Sequence, residues 1–236
     1  MTIRSHGMMK LSIIVPVLNE ASAIGQTLLA LQPLREAGHE VIVVDGGSRD
    51  ETLLLSKPFA DKIIQSPRGR SHQMNAGSKG ASGDVLLFLH GDTFLPSEAH
   101  RLIIDGMRGT GCQWGRFDVK LSGEHLLLRI IEFLMNWRSR LSGIATGDQA
   151  IFVRRKLFDE IGGYPEIDLM EDIALCKILK KYGRPLCLPQ PVLTSSRRWE
   201  EKGFARTIFL MWFLRLAYFF HVNPNRLAKL YYPKHE

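Results

Sequence analysis

The chain has few cysteines, and their spacing is not that of a cross-linking or metal-binding set. Its 236 residues include three, Cys112, Cys176 and Cys187. An odd number with no Cys-x-x-Cys pair argues against a disulfide framework and against a zinc cluster. Because thiols stay reduced inside cells, we expect a cytoplasmic protein.

Other absences narrow the class of protein further. The sequence contains neither the Gly-x-Gly-x-x-Gly of dinucleotide-binding oxidoreductases nor the Gly-Lys-[Ser/Thr] of P-loop kinases. Residues 1–10 are polar, and the apolar stretch that follows contains Pro16 and Asn19, so a secretory signal is not expected. No internal repeat or low-complexity tract is evident.

What is present is an ordinary globular composition with an uneven charge. Hydrophobic residues make up 45% and charged residues 23%, which suits a folded domain over residues 1–202 with an apolar, basic helical appendage at 203–236. Of the net charge of +7, residues 194–236 carry +5, from eight Lys/Arg and three Asp/Glu. This excess indicates an anionic partner, such as a diphosphate or a lipid headgroup, or else a solvated basic face. Nucleic acid is not expected, since the basic residues are interleaved with an apolar segment.

Three apolar runs in the first ninety residues each lead into acidic, amide or imidazole side chains. The runs are 11–16, before Asn19 and Glu20; 41–44, before Asp45; and 85–89, before His90 and Asp92. Such runs are typical of parallel strands buried on both faces. Ligands of open α/β sheets bind outside the carboxyl ends of the strands, and carboxylates there suit ligand hydroxyls and a metal-bound diphosphate.

The alternation of strands and helical segments predicts an α/β fold with a mostly parallel sheet, flanked by helices and joined by right-handed crossovers. Predicted strands span 11–17, 40–45, 62–65, 84–90, 115–119 and 150–154, and predicted helices span 20–31, 50–56, 71–81, 97–107, 124–141, 156–162 and 171–181. Ser48 and Glu51 have the spacing of a capping box at the second helix.

Two segments are apolar enough to suggest contact with a membrane. Helix 124–141 has a wide apolar face interrupted by Arg138, which suits packing on its own domain or docking on lipid. Segment 204–222 is strongly apolar, but Arg206 and Arg215 oppose its insertion across a bilayer. We expect an interfacial or re-entrant helix there. A helix buried in the fold or in a homodimer is the alternative, and a membrane span is the third.

The order of the motifs resembles that of glycosyltransferase family 2, over roughly residues 11–199. Residues 15–20 (VPVLNE) resemble the opening strand and turn of that family, and residues 44–52 (VDGGSRDET) resemble its Val-Asp-Asp-Gly-Ser-x-Asp-x-Thr, with a glycine in place of the second aspartate. The resemblance implies a GT-A fold and an inverting transferase that uses a nucleotide-diphosphate sugar. It also implies a nucleotide site, with Asp45 bonded to the nucleobase, made by Pro16, Asn19, Glu20, Asp45 and Gly47.

A third motif falls where the family binds the phosphates of the donor. Residues 69–77 match a family segment that contains Arg-Asn-x-Gly, and Asn75 is present while the arginine is Met74. The resemblance therefore assigns the phosphates to a neighbouring arginine, Arg68 or Arg70, although both also suit an ordinary surface position.

Acidic residues after the fourth strand and at a later helix start match the family's metal and catalytic positions. His90-Gly91-Asp92 stands at the Asp-x-Asp motif, which implies that Asp92 binds a divalent metal, Mg²⁺ or Mn²⁺, and that His90 touches the ribose. Glu171-Asp172 resembles the family's Glu-Asp motif, whose aspartate is the catalytic base. Asp172 is accordingly the expected base and Glu171 its support.

Two remaining motifs are assigned to the acceptor and the leaving diphosphate. Asp148 and Gln149 lie between the metal and base motifs and are interpreted as acceptor-side residues. Arg197, Arg198 and Trp199 resemble the Gln-x-x-Arg-Trp of processive members, but Ser195 replaces the glutamine, which argues against polymer synthesis. The arginines would neutralise the diphosphate.

The resulting hypothesis is a metal-dependent enzyme that transfers a sugar from a UDP- or GDP-sugar to a hydroxyl group of an acceptor. We favour a lipid-linked acceptor. It would work at the inner face of the cell membrane. A nucleotidyltransferase is disfavoured because no glycine- and lysine-rich loop follows the first strand. A non-catalytic membrane-surface or scaffolding protein with a decayed site remains the alternative.

Overall fold

The sheet of the described chain has the strand order β3-β2-β1-β4-β7-β6-β8-β5. The computed structural model describes residues 9–231, apart from the side chains of Arg198 and Lys202. Its strands are β1 (Leu11–Val17), β2 (Glu40–Asp45), β3 (Lys62–Gln65), β4 (Val85–Phe88), β5 (Thr93–Phe94), β6 (Trp114–Leu121), β7 (Phe152–Arg154) and β8 (Leu186–Thr194).

Helices cover both faces of this sheet and complete the α/β fold that the sequence predicts. They are α1 (Ile24–Ala30), α2 (Gln32–Glu36), α3 (Thr52–Ser56), α4 (Arg70–Gly80), α5 (Ala99–Thr110), α6 (Leu126–Ser142), α7 (Arg155–Glu160), α8 (Glu171–Leu179), α9 (Arg197–Lys202), α10 (Phe204–Phe219) and α11 (Pro224–Tyr231). Short 3-10 turns lie at Gly147–Gln149 and Lys180–Tyr182.

The first half of the sheet is parallel, as its apolar runs predict. β1 pairs in parallel with β2 on one side and with β4 on the other, and β2 pairs in parallel with β3. Ile13 and Val15 of β1 pack into one core cluster, with residues of α1 and α5. Ile14 packs into the cluster on the opposite face, with residues of α4, α7 and α8. The strand is therefore buried on both faces, which places its carboxyl end in the middle of one sheet edge.

The second half of the sheet is mixed, and two of its strands were not predicted. β7 runs antiparallel to β4 and β6, β8 runs parallel to β6, and β5 runs antiparallel to β8. β8 contains Pro189 and Pro191, which normally argue against a strand. Its register with β6 shifts between Phe117 and Asp118, whose partners are Leu188 and Pro191. The irregularity accommodates both prolines.

The helix starts near the site differ from the predicted ones. Helix 20–31 begins at Ile24, and α3 begins after Glu51 with no side-chain cap, so the expected capping box is wrong. The Ser48 hydroxyl instead accepts a hydrogen bond from the backbone N–H of Asn19 (2.9 Å), and Asp50 accepts one from the N–H of Thr52 (3.0 Å). The first of these bonds ties the loop after β1 to the loop after β2.

The segment after residue 203 packs onto the α/β unit. Leu214 of α10 is fully buried and shares a core cluster with Leu169, Met170 and Ile173 at the start of α8. Near its own start, α10 meets α6, where the rings of His125 and Phe204 are stacked 4.6 Å apart. α10 thus lies between α8 and α6.

The outward faces of α6 and α10 are apolar and exposed. On α10 the exposed side chains recur with helical spacing, and Phe209 (76%) and Trp212 (70%) are the most accessible of them. The full set on the two helices is Leu126, Leu127, Ile130, Phe133, Leu134, Trp137, Leu141, Phe209, Trp212, Phe213, Leu216 and Phe219. We call this set the apolar face. Within residues 9–231, no helix has both the length and the apolarity that a membrane crossing requires.

Candidate active site

A cavity of about 560 Å³ opens at the carboxyl ends of β1 and β4. The loops after those strands, the start of α4, the start of α8 and the chain after β8 form its walls. Eleven residues expected in a ligand site line it: Pro16, Glu20, Arg68, Arg70, His90, Asp92, Asp148, Glu171, Asp172, Arg197 and Trp199. Segments as far apart in sequence as Pro16 and Trp199 therefore meet at one place, as expected when parallel strands end at the same edge.

Three other expected nucleotide-binding residues do not line the cavity and instead build the loops beside it. Asp45 is 1% exposed, and its carboxylate accepts the backbone N–H groups of Gly47 (3.0 Å) and Ser48 (3.1 Å). Asn19 has a positive φ of 53°, and its Oδ1 accepts the N–H of Arg49 (2.8 Å). The turn also needs glycine at Gly47, where φ is +97°. Their contacts with a nucleotide stay predictions.

Asn75 and Gln149 also have structural contacts and lie off the cavity wall. Asn75 exchanges two hydrogen bonds with the backbone of Tyr164, at 2.9 and 2.8 Å. Gln149 is fully buried, and its side chain contacts the Thr146 N–H (3.3 Å) and the Ser139 hydroxyl (3.1 Å). Both side chains fix loops around the site, and their assignment to ligands also stays a prediction. The side chain of Arg198 lies outside the described residues.

Gln73 is a cavity residue that the sequence did not single out. Its Nε2 donates to the carbonyl oxygens of Val17 and Val44, both at 2.8 Å, which joins the ends of β1 and β2. A Cβ added at Gly46 would lie 3.1 Å from this amide. The space beside Gly46, where the resembling family has an aspartate, is therefore occupied by Gln73. In the sequence, the only sign of this close approach is the glycine at position 46.

Beside the carboxyl ends of β1 and β4, one arginine lies between two carboxylates. The Arg197 Nη2 is 3.5 Å from Glu20 Oε2 and 3.7 Å from Asp92 Oδ2. Burial, followed by the negative charge of Asp92, raises the pKa of Glu20. Two neighbouring carboxylates thus create a site of negative potential that attracts cations.

The side chains of the cavity provide only some of the ligands that a divalent cation needs. Among residues 9–231, no group of three or more His, Cys, Asp and Glu side chains is placed to hold a metal ion. Asp92 and Glu20 nevertheless supply the hard oxygen ligands that Mg²⁺ prefers, and Mg²⁺ commonly binds through one or two carboxylates together with substrate phosphates. The residues fit a metal that binds with a diphosphate, and they do not form a closed cage.

The loop after α6 connects the imidazole of His90 to the expected base. His90 Nδ1 is 3.2 Å from Asp148 Oδ1, and the N–H of Gly147 donates to Asp172 Oδ2 at 3.0 Å. A Cβ added at Gly147 would lie 2.4 Å from the His90 imidazole. Glycine is required here because the loop backbone must pass between the imidazole and the carboxylate.

Two adjacent carboxyl groups begin α8 in different environments. Glu171 is 6% exposed, and burial, followed by the charge of Asp172, raises its pKa to about 7. Asp172 faces the cavity and accepts two backbone hydrogen bonds, from Gly147 at 3.0 Å and from Ile173 at 2.6 Å. Near neutral pH Glu171 can hold a proton, while the Asp172 side chain is oriented in the cavity by its two backbone donors.

The far wall of the cavity comes from the segment that we treated as an appendage. Met211, Leu214 and Arg215 of α10 and Tyr231 of α11 line the cavity opposite the ends of the strands. In the sequence, the position of Arg215 within an apolar helix was a signal that this helix could contribute to the site. The sequence did not show that the helix packs against α8.

Known proteins resemble this chain in sequence. The sequence model of "Glycosyl transferase family 2" matches residues 12–162. The chain is 28% identical over 190 residues to a probable glycosyltransferase, YdaM, of Bacillus subtilis, which covers 70% of this chain and 45% of that protein. It is 30% identical over 177 residues to a PGL/p-HBAD biosynthesis glycosyltransferase of Mycobacterium bovis, covering 65% of this chain and 62% of that protein. The chain thus spans about half to three fifths of these relatives.

Solved structures show the same fold. S. aureus TarS, residues 1–349 with UDP, matches with a TM-score of 0.64 and 20% identity over 79% of this chain and 60% of that chain. The mannosyltransferase PcManGT of Pyrobaculum calidifontis, with GDP-Man and Mn²⁺, matches with a TM-score of 0.61 and 19% identity over 81% of this chain and 57% of that chain. The expected GT-A fold is confirmed.

The environment of Glu171 predicts an unusual dependence of stability on pH. Its pKa is about 7 in the folded protein and near 4.5 when unfolded, so stability falls as pH rises through this window. Glu171→Gln removes the titration. We expect the variant to gain stability over the wild type between pH 5 and pH 8, by up to about 3 kcal/mol. Urea unfolding at both pH values measures the difference, with the exposed Glu160→Gln as control. A difference that is the same at both pH values would contradict the assignment.

Proposed function

Because the chain belongs to glycosyl transferase family 2, we propose that it transfers a sugar, with inversion, from a nucleotide-diphosphate sugar to a hydroxyl group of an acceptor. The observation that carries the proposal is the single cavity at the ends of β1 and β4. It brings together Glu20, Asp92 and Arg197 at one end with Glu171 and Asp172 at the other. A metal-diphosphate position and a base position thus share one space.

The donor occupies the end of the cavity beside β1. Pro16 and Glu20 lie there and would contact the base and ribose, while Arg70 at the start of α4 would reach the phosphates. TarS was solved with UDP and PcManGT with GDP-Man, which supports a UDP- or GDP-sugar as the donor. His90, held by Asp148, lies on the same wall and would contact the ribose.

Asp92 would hold the divalent metal, Mg²⁺ or Mn²⁺, with Glu20 as the neighbouring carboxylate. When bound, such an ion neutralises the charge that develops on the leaving diphosphate. Mn²⁺ is present in the PcManGT complex, which supports this choice. Arg197 lies within 3.7 Å of both carboxylates and would pair with the phosphates, whose oxygens match its guanidinium.

Asp172 is the proposed base. It would take the proton of the acceptor hydroxyl while that oxygen forms a bond to the anomeric carbon and the bond from that carbon to the diphosphate breaks on the opposite face. Gly147 fixes the orientation of the carboxylate through its N–H. Glu171 would support the base electrostatically, and Trp199, which lines the same cavity, would contact the acceptor.

The acceptor is proposed to be lipid-linked, and the protein to work at the inner face of the cell membrane. The apolar face would enter the lipid interface, since aromatic side chains are favourable at that depth. Arg226 and Lys229 of α11 are exposed nearby and would attract anionic headgroups. α10 connects these two roles, because its inner side lines the cavity while its outer side carries five of the twelve residues of the apolar face. A homodimer through the same face is the competing arrangement.

The donor site is tested by Asp92→Ala. We expect the variant to lose Mg²⁺- or Mn²⁺-dependent binding of UDP or GDP and the turnover of their sugars, since the metal-diphosphate loses its protein ligand. Thermal-shift titration measures binding, because ligand at 100 times its Kd stabilises by about 2.7 kcal/mol. The exposed Asp105→Ala is the matched control. Unchanged titration curves for Asp92→Ala would remove it from the site. Absence of nucleotide release by the wild type would favour the non-catalytic alternative.

The base is tested separately by Asp172→Asn. The amide keeps the shape of the carboxylate but cannot accept the proton. Donor affinity should therefore persist, while turnover, measured as nucleotide release, falls by about 10²–10⁴-fold. Asp168→Asn is the control, since this aspartate also lines the cavity. Turnover at the wild-type rate in Asp172→Asn would show that the base lies elsewhere, with Asp148 and Glu171 as the next residues to test.

Membrane contact is tested with the full chain, because α10 is part of the cavity wall. The double variant Phe209→Ser/Trp212→Ser should weaken co-sedimentation with anionic phosphatidylglycerol vesicles at least about tenfold, since each buried aromatic side chain contributes roughly 1.5–3 kcal/mol. Leu54→Ser, exposed on α3 (63%), is the control. Wild-type binding should also fall with salt. Negligible sedimentation of the wild type, together with a dimer that the double variant abolishes, would favour the homodimer.

A further inference from the structure

Two arginines from the neighbouring helices α6 and α10 lie together beside the acceptor end of the cavity. Arg215 lines the cavity from α10. Burial, followed by the positive charge of Arg215, lowers the pKa of Arg138 on α6 to about 10. Burial also lowers the pKa of Arg215, and the negative charges of Asp172 and Asp148 act in the opposite direction. Both guanidinium groups are therefore partly removed from water and lie within range of the proposed base.

Neither guanidinium has a direct ionic partner in the part of the chain that the structure describes. The ion pairs within 4.0 Å there include neither Arg138 nor Arg215. The Nε and Nη2 atoms of Arg138 are buried and have no hydrogen-bond partner among the described residues. Buried charges are normally paired, because unpaired burial is costly. Two adjacent cations in this condition create a positive potential, which the more distant charges of Asp172 and Asp148 offset only in part.

Arg215 differs from Arg197 in how close its carboxylates lie, since Asp172 and Asp148 act on its charge without forming an ion pair within 4.0 Å among the described residues. Arg197 is half exposed and has two carboxylates within 3.7 Å. Arg215 instead lies among the apolar and aromatic side chains of Met211, Leu214 and Tyr231 on the cavity wall. A cation in such surroundings interacts strongly with an anion that enters, because little water is present to screen the charges.

We propose that Arg215, supported by Arg138, forms a subsite for an anionic group, a phosphate or a carboxylate, carried by the acceptor. The planar guanidinium of Arg215 matches either anion with two parallel hydrogen bonds. An acceptor held there by its anionic group would present a hydroxyl to Asp172, whose charge acts on the same arginine. This inference rests on the proposed transfer reaction and adds to it the chemical class of the acceptor. The anionic group can belong to a soluble molecule or to a lipid headgroup.

The test is isothermal titration of the full chain with glycerol 3-phosphate, glycerate and glycerol, with and without saturating UDP or GDP and Mg²⁺. The nucleotide keeps the probe out of the proposed diphosphate position. We expect the two anions to bind with nucleotide present and glycerol not to bind. Arg215→Ala should weaken anion binding by about 10- to 100-fold, as expected for loss of hydrogen bonds to a charged group. Arg215→Lys keeps the positive charge but cannot form two parallel hydrogen bonds, so it should lose less affinity for the anions than Arg215→Ala.

Arg206→Ala is the matched control, since Arg206 is exposed on the same helix, and it should bind the anions as the wild type does. Lysophosphatidate below its micellar concentration carries the same glycerol phosphate on an acyl chain. If it binds more tightly than glycerol 3-phosphate and depends on Arg215, the lipid source is supported, and equal affinities support a soluble acceptor.

Two results would overturn the subsite. One is equal anion binding by Arg215→Ala and the wild type. The other is binding that nucleotide displaces, which would place the probe in the diphosphate position. A failure of the proposed transfer function can be distinguished from a failure of the subsite. In that case the protein would not bind the nucleotide, but its Arg215-dependent binding of the anions would persist.

Discussion

The parallel pairing of β1 with both β2 and β4 is the constraint on which the site depends. It brings the ends of three buried strands to one edge of the sheet, so the loops that follow them are neighbours whatever their separation in sequence. Gln73 then fixes the spacing of two of these ends by bonding the carbonyl oxygens of Val17 and Val44. The position of Asp92 opposite Glu20 follows from this framework rather than from any local motif.

Charge divides the cavity into two ends. Beside the strands, Glu20 and Asp92 produce a negative potential that Arg197 offsets in part. Beside α8 and α10, acidic groups at the helix start face Arg215, which has no direct ionic partner among the described residues. A donor that carries a metal-bound diphosphate fits the first end, and an anionic acceptor fits the second. The two substrates would thus be distinguished by electrostatics as well as by shape.

The sequence predicted those features of the fold and the site that are encoded by neighbouring residues. It did not predict those that depend on contacts between distant segments. Buried parallel strands read directly as apolar runs, and most of the residues predicted for the site do line the cavity, because they follow such strands or belong to motifs that resemble those of the family. β8 was missed because Pro189 and Pro191 conceal a strand that depends on an irregular register with β6. Gln73 and Arg215 were missed for a related reason, since each reaches the cavity from a helix whose packing partner is distant in sequence. The contacts of Asp45 with its own turn could likewise be seen only in three dimensions.

The most direct test of the account is a crystal structure of the protein with UDP or GDP and Mn²⁺, in which anomalous scattering locates the ion independently of the nucleotide. The account predicts a manganese peak within coordination distance of Asp92 and of the diphosphate. It also predicts that the nucleobase lies beside Pro16 and that the carboxylate of Asp172 faces the space for the acceptor. Nucleotide and manganese bound outside this cavity, or a nucleotide reversed so that its diphosphate lies on Arg215, would contradict it.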